Sequence, residues 1–225
     1  MNRRVLRTCT TAGMILAAAI AAEPLRAQAW SYPSFQPPRI TAREFNFGVA
    51  DAGDAGTSLV FQWREGITQR AQLSLDVGVA DPDGGGDSFL LLGGGMAAML
   101  SEARADLPLD FLLTAGLNLA IGGDGNLLRL PVGVSLGHRF GLEQGMAITP
   151  YVHPRVSIDY CGDCGIGDNS RTELGVDFDI GASFDVNPSL TFRLSALFGG
   201  SDLVGNSDGF GLSLAWRPAG LSARR

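Results

Sequence analysis

From Thr172 to Val186 the chain alternates residue by residue between apolar and polar positions. Leu174, Val176, Phe178, Ile180, Ala182, Phe184 and Val186 fall on one side; Glu173, Gly175, Asp177, Asp179, Gly181, Ser183 and Asp185 fall on the other. Successive side chains of a strand point to opposite faces, so this pattern predicts a strand with one apolar and one acidic face. At fifteen residues it exceeds the usual strand of a globular protein. The same period recurs along the chain. Phe45 to Val49, Leu59 to Trp63 and Ala71 to Val79 predict three strands before it, followed by Phe111 to Ile121, Leu128 to Leu136 and Ile148 to Ile158. Leu190 to Phe198 and Phe210 to Trp216 predict two strands after it. The segment Ser88 to Leu100 is apolar on both faces around Gly93, Gly94 and Gly95, so its phase stays open.

These segments make ten strands, an even number, joined by connections of alternating character. Those at Glu65–Gln69, Gly141–Gly145 and Asn187–Ser189 are tight, whereas those after the first, third, seventh and ninth strands are longer and rich in Gly, Asp and Asn. A long strand that is apolar on one face and charged on the other suits a barrel wall with lipid on one side and a wet lumen on the other. The expectation is a closed antiparallel up-and-down transmembrane β-barrel, all-β, of about ten strands. Parity supports it: a five-residue connection pairs Phe140 with Met146, and a three-residue one pairs Val186 with Leu190. Pro150 and Pro154 cannot donate to a ladder, so bulges or a pairing gap are expected along the seventh strand. Periodicity alone does not say which face is outside. A soluble exported barrel, apolar within and binding a small ligand, remains an alternative.

The ends refine this organisation. Residues 1–29 read as a signal peptide: Arg3, Arg4 and Arg7, an apolar run from Ala12 to Ala22, then Ala27-Gln28-Ala29. The run is too short to span a bilayer as a helix, and no later stretch reaches the ~20 apolar residues required. Residues 30–42, with Pro33, Pro37 and Pro38, read as an extended periplasmic lead-in, 43–217 as the barrel and 218–225 as a tail. The last strand, Gly211-Leu212-Ser213-Leu214-Ala215-Trp216, carries a glycine and then alternating apolar residues ending on an aromatic. In this it resembles the C-terminal insertion signal of the bacterial outer-membrane β-barrel proteins, although Arg217 to Arg225 follow it here. The resemblance covers roughly Arg43 to Arg217. It implies residence in the outer membrane, contact with outer-membrane lipids and insertion by the barrel-assembly machinery.

Composition narrows the chemistry. Every basic side chain is arginine and lysine is absent, which removes Schiff-base chemistry and a phosphate-loop lysine. The net charge of −6 argues against a nucleic-acid partner. Cys161 and Cys164, in the connection after the seventh strand, read as a local disulfide of an exported protein. Asp81, Asp83 and Asp87 could offer oxygens to Ca²⁺, but the twelfth loop position is Leu92 and a solvated turn is the preferred reading. Tyr151, His153, Arg155, Ser157 and Asp159 share the polar face of the seventh strand. Residues two apart there lie ~6–7 Å from one another, too far to hydrogen-bond without partners from other strands. A lumen network of Arg129, Arg139, His153, Arg155, Asp159, Asp177, Asp179 and Arg193 is expected instead, filling most of a bore near the narrow end of the known range. No cofactor is called for. The expected role is structural, surface-binding or that of a narrow pore, with a lipid- or peptide-modifying enzyme using His153 as base the alternative; the solute or ligand stays unspecified.

Overall fold

The computed structural model describes residues 32–52, 56–82, 87–122, 125–162, 170–201, 203, 205–206 and 208–220. Ten long strands follow one another: β1 Arg43–Asp51, β2 Thr57–Thr68, β3 Ala71–Asp81, β4 Phe89–Ser101, β5 Asp110–Gly122, β6 Gly125–Gly137, β7 Ala147–Gly162, β8 Arg171–Asn187, β9 Leu190–Ser201 and β10 Gly209–Trp216. Each pairs antiparallel with the next, and β1 pairs back onto β10 from Phe45↔Trp216 to Asp51↔Phe210. The sheet closes into an up-and-down barrel, which removes the exposed edges an open sheet would leave. Fold class and strand number agree with the pattern in the sequence.

The facing is now defined. Large apolar side chains project outward from every strand, among them Phe47, Leu59, Leu75, Met96, Leu117, Val132, Val156, Leu174, Phe192 and Leu212. Leu174 is 77% exposed and Val176 62%. The polar faces turn inward, where Glu44, Asn46, Gln62, Arg64, Arg129, Asp159, Asp177, Asp179 and Arg193 are all buried. A soluble calyx has the opposite arrangement. In β4 the outward set is Leu90, Leu92, Met96 and Leu100, while Leu91 and Ala97 point in and are buried. That strand looked apolar on both faces because its lumen face is itself apolar or glycine.

Two register expectations meet different outcomes. Between β8 and β9 the predicted register holds from Thr191↔Asp185 onward, with a bulge at Leu190. Between β6 and β7 it is two residues off: Phe140 pairs with Ile148 rather than Met146. The turn explains the difference: Gly141 still pairs with Ala147, and the five-residue connection is Leu142 to Met146, closed by the bond from Leu142 N to the Met146 carbonyl. The prolines interrupt the ladder without changing its register. β7 pairs with β8 without a break, but on the β6 side the ladder lapses at Val134 and Ser135, across from Pro154 and His153. It lapses again between Gly137 and the short pair Phe140–Gly141, across from Pro150. Gly133 lets the strand pass here: a Cβ on it would lie 2.6 Å from the Pro154 carbonyl oxygen.

The lead-in provides the main correction. Residues 32–41 do not hang beyond the rim as a periplasmic strap; they run inside the barrel. Tyr32, Phe35, Gln36 and Thr41 are buried, Phe35 completely. Phe35 adopts φ 48°, a conformation that bulky L residues rarely enter. Its ring fills a slot left by two lumen-facing glycines on the strands that close the barrel. A Cβ on Gly48 of β1 would stand 2.9 Å from the ring, and one on Gly211 of β10 2.6 Å from it. Tyr32 and Phe35 continue into an apolar layer of Ala50, Val60, Ala80, Leu91, Ala120, Leu127, Cys161 and Leu203, which crosses the bore towards the long-loop rim.

Candidate functional site

The lumen is the candidate site, and its side chains sort by height. At the rim where β1 starts and β10 ends, two carboxylates gather five arginines. Glu44 accepts from Arg64 Nη1 at 2.9 Å and Arg193 Nη2 at 2.7 Å, with Arg217 Nε 3.9 Å away. Asp185 accepts from Arg39 Nη1 at 3.0 Å, Arg139 Nε at 3.2 Å and Arg217 Nη2 at 2.7 Å. Thr191 Oγ1 also donates to Asp185 at 2.7 Å and in turn receives Arg217. Arg139 lies at the rim with half its side chain exposed, rather than deep in the bore as the sequence suggested. His138 lies there too, 3.6 Å from Asp110 and edge-on to Phe140.

The middle layer holds the lead-in. Ser34 Oγ donates to Asp179 Oδ2 at 2.7 Å and lies 2.7 Å from His153 Nδ1. Since the hydroxyl proton goes to Asp179, Nδ1 must carry the proton of the second bond. Nε2 is then the acceptor, and Thr114 Oγ1, 2.9 Å away on β5, donates to it. The Ser34 carbonyl accepts from Arg64 Nη2 at 3.0 Å and Gln62 Nε2 at 3.4 Å. Tyr32 and Gln62 both donate to Asp76 Oδ2, at 3.4 and 3.2 Å. Ser135 donates to the Gln36 carbonyl at 2.6 Å. An extended segment with three prolines has no ladder of its own, so the wall supplies its partners.

Above it, Arg129 Nε donates to Asp159 Oδ1 at 2.9 Å, and its Nη2 forms an ion pair with Asp177 Oδ2 at the same distance. Arg155 Nη2 contacts Asp179 Oδ1 at 3.1 Å and Asp177 Oδ2 at 4.0 Å. Ser201 closes this layer with a bond to Asp159 Oδ2 at 2.7 Å. Here aspartates outnumber arginines, the reverse of the lower rim, so the bore is polarised along its axis. A cavity of about 90 Å³ lies beside the lead-in, lined by Gln36, Gln62, Ser74, Asp76, Thr114 and Asn118 among others.

The structure therefore brings together Arg129, His153, Arg155, Asp159, Asp177 and Asp179, and separates Arg193 and Arg139 into the lower cluster. Sequence reading missed Ser34, Thr114, Arg39 and Arg217. The available signal was the pair of lumen-facing glycines, Gly48 and Gly211, on strands that pairing makes adjacent. Cys161 is disulfide-bonded and fully buried; Cys164 lies outside the described residues. So does Asp83, while Asp81 and Asp87 are exposed and Asp81 accepts from Ser88 at 3.4 Å.

Ser34, His153 and Asp179 share residue types with a hydrolase triad but not its wiring. A triad needs serine on one imidazole nitrogen and aspartate on the other. Here Ser34 and Asp179 both lie on the Nδ1 side, Asp179 Oδ2 at 3.5 Å, and Thr114 occupies Nε2. The group fastens the lead-in to the wall. His153→Leu should accordingly destabilise the barrel by about 1–3 kcal/mol, the cost of stranding a buried hydroxyl. Urea unfolding in lipid vesicles reads this directly, and an unchanged midpoint would refute the fastening role.

No family model matches the chain, and no curated protein does. Among solved structures it is similar to the β domain of the Bordetella autotransporter Brka, at 12% identity over 78% of this chain and 98% of that one, with a TM-score of 0.45. It is also similar to the KdgM porin, at 8% identity over 78% and 99% of the two chains, with a TM-score of 0.39.

Proposed function

We propose that this protein is an integral outer-membrane barrel whose bore is closed by its own N-terminal segment, and that it serves as a structural or surface-binding element rather than an open pore. The observation that carries the membrane assignment is the outward belt of large apolar side chains on all ten strands around a charged interior. Monomeric soluble proteins rarely expose contiguous apolar surface beyond a few hundred Å². In a bilayer the same belt is the solvated face, and closure leaves no open sheet edge against lipid. The occluded bore rests on residues 32–41, which meet Asp76, His153, Asp179 and Asp185 from inside.

Phe178 provides the test. It projects outward midway along β8, opposite Phe198 of β9 and Pro154 of β7. Phe178→Arg places a charge against lipid and should cost ~2–4 kcal/mol of membrane stability. The wild-type protein should insert into vesicles and migrate heat-modifiably on a gel, whereas the variant should show a lower folding yield. Equal yields for the two would contradict the assignment of this face to lipid.

A further inference from the structure

We propose that the rim where β1 begins and β10 ends carries a site for the phosphate of an anionic phospholipid headgroup, held by Arg39, Arg43 and Arg217; this rests on the membrane reading above. A cavity of about 500 Å³ opens between the lead-in, the β2–β3 and β8–β9 turns and the end of β10. Arg39, Arg43, Gln69, Ser189, Arg217 and Pro218 line it, and among the described residues no carboxylate does; Glu65 pairs with Arg43 from outside the lining, at 2.7 and 2.9 Å. The local charge is unbalanced. Glu44 and Asp185 answer Arg39, Arg64, Arg139, Arg193 and Arg217. Nε of Arg217, which lines the cavity, is buried without a hydrogen-bond acceptor. Buried guanidinium groups short of acceptors favour an incoming anion, and the planar fork of arginine matches phosphate oxygens.

The height of the cavity identifies the anion's source. Phe45 pairs with Trp63 on β2 and Trp216 on β10, and all three point outward. The Phe45 and Trp216 rings stack at 5.6 Å. Aromatic girdles of this kind mark the membrane–water interface of barrels. Arg43 is two residues beyond Phe45 on the same face, and Arg217 follows Trp216 directly. The cavity therefore sits at headgroup level, within reach of a lipid phosphate whose acyl chains lie along the outer wall.

The test uses the full-length protein, inserted into vesicles of equal parts phosphatidylcholine and phosphatidylglycerol, extracted into mild detergent and weighed by native mass spectrometry. The wild-type barrel should retain one phosphatidylglycerol in preference to phosphatidylcholine. Arg39→Gln and Arg43→Gln should each lower that retention about fivefold, the effect of one basic side chain near an anionic surface. Arg104→Gln, on the same rim but outside the cavity, should leave it unchanged. Heat-modifiable migration of each variant confirms an intact barrel, so lost retention reports the site and not the fold. Equal retention of the two lipids, or an equal fall in Arg104→Gln, would overturn the proposal. So would protection of the barrel by inorganic phosphate without retention of phosphatidylglycerol, which would mark the source as a soluble anion. A wild-type protein that never enters vesicles would remove the membrane reading and the site with it.

Discussion

A variant lacking residues 32–41 should conduct ions in planar bilayers, whereas the wild-type barrel should stay near baseline. The lead-in fills the bore at two levels. Tyr32 and Phe35 complete the apolar layer around Leu91, Leu127 and Leu203, and Ser34 and Gln36 occupy the polar layer beneath it. With them present, the cavity left in the middle of the lumen is about 90 Å³. Without them, Asp76, His153, Asp179 and Asp185 lose partners and face water, which charged groups prefer to a dry lumen. Arg155→Ala removes only one lining side chain and should raise conductance far less. Stepwise currents from the shortened barrel, absent from the full-length one, are the expected record. A shortened barrel that is heat-modifiable yet silent would show that the wall side chains alone seal the pore.

Glu44→Ala should cost about 3–5 kcal/mol, the usual penalty for removing one partner of a buried ion pair. Glu44 is 1% exposed and accepts from two buried arginines, Arg64 and Arg193. Removing it leaves both guanidiniums with less compensation in a region already rich in positive charge. The loss should therefore be partly recovered when Arg193 is replaced as well: Glu44→Met with Arg193→Met should be more stable than Glu44→Met alone. Urea midpoints in vesicles for Glu44→Met, Arg193→Met and the double variant measure this coupling. Strict additivity would mean that the two residues do not act as a pair.

The barrel was legible because a strand's period of two is unaffected by what fills the lumen. Leu174 to Val186 and Leu128 to Leu136 point outward as the alternation required, and the β8–β9 register followed from parity alone. Two kinds of feature were not legible. The β6–β7 register differs by two because the five-residue turn runs from Leu142 to Met146 rather than from Gly141 to Gly145, and parity fixes the length of a turn but not its placement. The lead-in was hidden for a different reason: a segment without periodic structure carries no signal of where it lies. Pro33, Pro37 and Pro38 indicate extension and nothing about location. Of the site, the aspartates and arginines of β6 to β9 could be assigned to the lumen, but their partners Ser34 and Thr114 come from elements 119 and 39 residues away from His153. Only the closed barrel brings them together.

The position of Phe35 also constrains the order of assembly. Its ring lies against Gly48 and Gly211, on the first and last strands, so the slot exists only when those two strands are side by side. Once β1 has zipped onto β10, a side chain that large has no lateral way in. Pairing of the first and last strands and seating of the ring therefore depend on each other: a side chain larger than glycine at either position would force the ring out of the seam. The seam that closes the wall is thus also the socket that holds the plug, and one pair of glycines serves both.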